Sequence, residues 1–124
     1  MNDFPDIETL LMGLLASLGT CVTATGPTLD TDIQTTPTIR IVRTGGGDDR
    51  ITDKARVSID VFAKDWATAQ STAEAVRQAL LVYPIKTSLG VIDEVITNTG
   101  PAEIPWDNPR VFRRNASFTI SMRR

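Results

Sequence analysis

Within DKARVSIDVFA, the stretch Arg56 to Val61 alternates polar and apolar residues strictly. Successive side chains of an extended chain point to opposite faces, so Val57, Ile59, Val61 and Ala63 share one side and Arg56, Ser58 and Asp60 the other. The segment reads as a strand with one face against a core. Thr38 to Arg43 alternates well enough to be a strand too. Between the two lies Thr44 to Asp53, rich in glycine and charge, which predicts an antiparallel hairpin with a long, mobile tip. Phe112 to Met122 makes a last long strand, with Ala116, Phe118, Ile120 and Met122 inward and Asn115, Ser117, Thr119 and Ser121 outward. Val91 to Ile96 supplies another, closed by Gly100-Pro101, and Cys21 to Thr25 can form a short one.

Two segments carry the helical period instead. Ile7, Leu10, Leu11, Leu14, Leu15 and Leu18 make one apolar face, led in by the acidic DFPDIE and stopped by Gly19. Asp65 can cap a second helix from Trp66 to about Val82, where Trp66, Ala69, Ala73, Val76 and Leu80 recur at steps of three and four. Trp66 on that inner face is expected in the core, and Pro84 ends the helix. The predicted fold is α+β over residues 1–124: a mainly antiparallel sheet of about four strands, two helices packed on one face, and a long hairpin tip. The outward sheet face carries serine, threonine, asparagine and charges, so it is either wet or covered by another polar surface.

Composition narrows the chemistry. Of 124 residues, 41% are apolar and 23% charged, the balance of one globular domain. The apolar run Leu10 to Leu18 is far short of a membrane span, and the acidic start lacks the basic flank of a secretory signal, so manufacture in cytosol is expected. Histidine is absent and Cys21 is alone, which removes Ser/His/Asp and Cys/His machinery and histidine-ligated metal sites within one chain. Cys21 is expected to be a buried or half-buried thiol. The run GGGDD, Gly45 to Asp49, lacks the lysine and hydroxyl of a phosphate-binding loop and leads into a strand rather than a helix. Asp48, Asp49 and Asp53 lack calcium-loop spacing, and Asp93-Glu94 should face opposite sides of a strand. No cofactor, metal site or catalytic residue is expected.

Charge is unevenly spread. Residues 1–39 hold Asp3, Asp6, Glu8, Asp30 and Asp32 with no lysine or arginine, whereas residues 110–124 hold five arginines and no acid. The two ends either neutralise one another within a subunit or steer one copy onto the next. Nucleic-acid binding is disfavoured by the acidic balance and by the lack of aromatics among the arginines. Trp106, in the rigid loop PWDNP, is either tucked over the sheet end or presented to a partner. Arg110, Arg113 and Arg114 are either a solvated strand end or an interface.

Taken in order, the GGGDD tip, DKARVSIDVFA, the alanine-rich ATAQSTAEAVRQAL, the turn at Gly100-Pro101, PWDNP and VFRRNASFTISMR resemble the tail terminator (tail completion) proteins of long-tailed bacteriophages. The resemblance runs from about Asp3 to the end of the chain and rests on pattern, not on catalytic motifs. It implies a non-enzymatic virion subunit at the head-proximal end of the tail. Such subunits assemble as a homo-oligomeric ring, commonly a hexamer, that caps the tail tube protein, ends its polymerisation and meets a head connector or neck protein. The interface candidates are Asp30, Asp32, Gly45, Gly46, Gly47, Asp48, Asp49, Arg50, Trp106, Arg110, Arg113 and Arg114. Another neck or minor tube protein is the nearest alternative, and a small-ligand-binding α+β module with a pocket at Trp106 is a second.

Overall fold

The computed structural model describes residues 6–22, 36–48, 53–82, 84–87, 90–104 and 112–123. In chain order its elements are α1 (Ile7–Leu15), β1 (Thr20–Val22), β2 (Thr38–Asp48), β3 (Asp53–Ala63), α2 (Trp66–Leu80), β4 (Ile85–Lys86), β5 (Val91–Ile104) and β6 (Phe112–Arg123). The strands form one six-stranded sheet in the order β1-β2-β3-β6-β5-β4. Every pairing is antiparallel except β1 with β2. The architecture is thus α+β, with a mixed sheet of six strands where the sequence predicts about four. The additions are the short outer strands: β1 is foreseen only as optional, and the two residues of β4 leave no periodic signal. A parallel neighbour needs a crossover connection of about a dozen residues or more, and the long segment from Thr23 to Pro37 is what makes that pairing available.

The core lies between the sheet and the two helices. α1 buries Ile7, Leu10, Leu11 and Leu15 against β2 and β1; α2 buries Ala69, Thr72, Ala73, Val76 and Leu80 against β3, β6 and β5. The sheet meets them with Ile39, Ile41, Ala55, Val57, Ile59, Val61, Ile92, Val95, Ala116, Phe118, Ile120 and Met122. Each aliphatic side chain taken out of water here contributes about 1.5–3 kcal/mol. Both helices begin on an aspartate. Asp65 accepts the Thr68 N–H at 2.7 Å, as its position suggests. For α1 the cap is Asp6, which accepts the Glu8 N–H at 3.1 Å and the Thr9 hydroxyl at 2.9 Å. Asp3, Phe4 and Pro5 of the expected helix start lie outside the described residues.

The hairpin differs most from expectation. Gly45, Gly46, Gly47 and Asp48 are ladder residues of β2, paired with Arg56, Ala55, Lys54 and Asp53. No long tip exists: only residues 49–52 separate the strands, and these lie outside the described residues. The register slips between Arg43 and Gly45, so Thr44 is the extra residue of a bulge. Gly46 sits at φ 111°, and a Cβ there would come within 2.0 Å of the Lys54 carbonyl oxygen. The glycine run therefore serves a bulged ladder. β5 shows a related correction, because it continues through Gly100-Pro101 to Ile104 instead of stopping there. The register jumps between Thr99 and Ala102, so Pro101 lies in an irregular step, where a missing N–H is tolerated. Gly19, expected as a helix stop, has another role. The chain passes so close to Pro37 that a Cβ at Gly19 would lie 2.6 Å from its carbonyl oxygen, which instead accepts the Thr20 N–H at 2.9 Å.

Candidate functional site

The sheet face away from the helices is organised around one carboxylate. Arg40, Asp60 and Asn115 stand in register across β2, β3 and β6, and Phe62 and Arg113 form the adjoining row. Asp60 is only 2% exposed. Its Oδ2 accepts from Arg40 Nε at 3.0 Å and Nη2 at 2.6 Å; its Oδ1 accepts from Arg113 Nε and Asn115 Nδ2, both at 2.9 Å. Asn115 Nδ2 also donates to Ser58 Oγ at 2.8 Å. Burial alone would push the Asp60 carboxyl up, but the hydrogen bonds from Arg113, Asn115 and Arg40 outweigh it and hold the group below the ordinary carboxylate range. Both guanidinium groups also lie over the buried Phe62 ring, at 5.6 Å for Arg40 and 5.8 Å for Arg113. The outward polar face is therefore partly a buried ionic network. The alternation that marks Asp60 as outward cannot reveal its burial, which depends on three strands converging.

A second bidentate pair closes the far end of the helix side. Arg43 Nη1 and Nη2 donate to the two oxygens of buried Asp53 at 2.8 and 2.9 Å, while the Arg43 backbone N–H donates to Glu8 Oε2 of α1 at 2.9 Å. Asp53 thus acts in an ion pair next to the bulge. Cys21 is half-buried and burial raises its thiol, as suits an unreactive cysteine.

Arg113 and Arg114, adjacent in sequence, part company in space. Arg113 joins the Asp60 network, whereas Arg114 emerges on the helix side, level with Val61 and Glu103 in the register. Its guanidinium lies 5.2 Å from the ring centroid of Trp66, the first residue of α2. Trp66 is 47% exposed, which overturns its assignment to the core. Ala69, Thr72 and Ala73 take the sheet-facing side of α2, while the Trp66 ring stands half exposed against Arg114. Arg114 Nε is shielded from water with no hydrogen-bond partner among the described residues. Val82 and Ile96 are the other large apolar side chains exposed among those residues, at 69% and 51%.

The structure gathers Gly45, Gly46, Gly47 and Asp48 into the ladder and Arg113 into an ionic network, and it sets Arg114 on a different face. Asp30, Asp32, Asp49, Arg50, Trp106 and Arg110 lie outside the described residues. The Trp66–Arg114 stack and the Asp60 network escape sequence reading because their members lie far apart in the chain. Among the described residues, no group of three or more His, Cys, Asp or Glu could hold a metal, and no helix is long and apolar enough to cross a membrane.

The fold has a solved counterpart. A chain of the structure described as "Virion of native gene transfer agent (GTA) particle" matches with a TM-score of 0.59 at 16% identity, over 93% of this chain and 85% of that one. At that identity the likeness is one of fold. No protein-family model and no curated protein matches the sequence.

Proposed function

We propose that this protein is a non-enzymatic structural subunit of a phage-type virion, and within that class a tail terminator. In this reading its copies form a closed ring, six in number, that caps the tail tube, ends its growth and offers a joining surface to the head connector. The observation that carries the proposal is the match in fold, nearly end to end, with a chain of a phage-like virion particle. The sequence resemblance to tail terminators supports the finer role, and the opposite charge of the two chain ends suits head-to-tail contacts that close on themselves. The interface candidates along this ring are the residues 45–50, Asp30, Asp32, Trp106, Arg110 and Arg114. Arg113, already committed to Asp60, serves the subunit itself.

Negative-stain microscopy of the purified protein, alone and mixed with tail tubes, tests this directly. Closed rings or caps on tube ends are expected. Open tubes would favour a minor tube subunit, and a monomer that never touches tubes would sink the virion reading.

A further inference from the structure

We infer that the Trp66–Arg114 stack is the docking surface for a second copy of this chain, received through the partner copy's acidic segment at Asp30 and Asp32. The inference rests on the ring reading above and adds to it the surface through which neighbours meet. Three observations lead to it. Trp66 is a large aromatic left half in water at the start of α2, held by an arginine rather than by the core. Tryptophan and arginine are the residue types that most often dominate the energetics of protein interfaces. Arg114 also enters no ion pair among the described residues.

Charge identifies the occupant. Every ion pair among the described residues draws its carboxylate from Asp53, Asp60, Glu74 or Asp93. Residues 1–39 hold five carboxylates without a single lysine or arginine, and of the two described ones, Asp6 and Glu8, neither enters these pairs. Asp6 caps α1 and Glu8 takes the Arg43 N–H, so both have local roles. The sequence TLDTD, Thr28 to Asp32, carries two further carboxylates. A guanidinium stacked on an indole offers a flat cationic plane whose edge can pair with such a carboxylate, while the ring contributes apolar area. Because the two patches differ, the contact is heterologous and repeats from copy to copy, as a ring requires.

Sedimentation velocity on variants tests the inference. Arg114→Glu alone and Asp30→Lys with Asp32→Lys alone should both fail to assemble. An equal mixture should assemble again, since the altered patches of the two variants complement each other around an alternating ring. Trp66→Ala, at an exposed position that should leave folding intact, should weaken self-association by more than about tenfold. Far-UV circular dichroism identifies folded variants. A folded Trp66→Ala protein that assembles at wild-type concentrations overturns the surface and leaves the ring standing. Failure of the mixture to assemble overturns Asp30 and Asp32 as the occupant. A wild-type protein that never self-associates removes the ring and this surface together.

Discussion

At the scale of single residues, the glycines of β2 show how one run serves several conditions. Gly46 combines a positive φ with a Cβ position 2.0 Å from a carbonyl oxygen, whereas a Cβ at Gly47 would meet nothing within 4 Å. Gly46→Ala should lose about 2–4 kcal/mol through backbone strain and the clash. Gly47→Ala should stay within about 0.5 kcal/mol of the parent. Urea unfolding of the two variants checks the contrast. Asp60 is the other residue on which much depends. Replacing it with Asn leaves Arg40 and Arg113 facing a neutral group, and a loss of about 3 kcal/mol is expected near neutral pH. Its carboxyl titrates lower in the folded state than in the unfolded chain. The stabilisation is therefore present above the unfolded value of about 4 and fades as pH falls through the lower folded value. Unfolding free energies measured from pH 7 downward should fall with acid in the parent, and Asp60→Asn should show less of that fall.

At the scale of elements, α1 and α2 are held differently. α1 inserts four bulky aliphatic side chains against β2 and β1, whereas α2 presents mainly small residues and lies close on β3 and β6. Deleting volume under α1 therefore leaves a cavity at a site with little freedom to collapse. Leu11→Ala should cost about 3 kcal/mol, read by chemical denaturation, with amide exchange accelerated first in α1 and β1. The irregular steps of β5 between Ile92 and Glu94, Thr97 and Thr99, and Thr99 and Ala102 interrupt its ladder. Interruptions of this kind blunt a strand against uncontrolled pairing with another chain.

At the scale of the whole molecule, two neighbouring arginines have separate fates. Arg113 neutralises Asp60 inside the subunit, and Arg114 stands with Trp66 outside it. Arg113→Glu should therefore be read in stability, as a drop in melting temperature with like charges forced together on Asp60. Arg114→Glu should be read in assembly, with little change in melting. Differential scanning calorimetry beside sedimentation separates the two, and equal melting losses would contradict the division. Such a pair also shows part of how the uneven charge is used: Arg113 and Arg123 pair with Asp60 and Asp93.

How much of this was legible beforehand follows from the range of each interaction. The strand period of Arg56 to Val61 and Phe112 to Met122, the helical stripes, and the capping by Asp65 are local properties, and they determined the α+β class and, Trp66 apart, the faces turned to the core. The absence of histidine determined which chemistry was unavailable within one chain. Tertiary structure decided what depends on distant partners. It drew Gly45 to Asp48 into the ladder because β3 runs opposite, carried β5 past Pro101 because a register step accommodates it, and buried Asp60 because β2 and β6 bring two arginines to it. It left Trp66 half exposed, stacked on Arg114, a residue that β6 brings to it from far along the chain. Periodicity states which side of an element a residue occupies; only packing decides whether that side is closed.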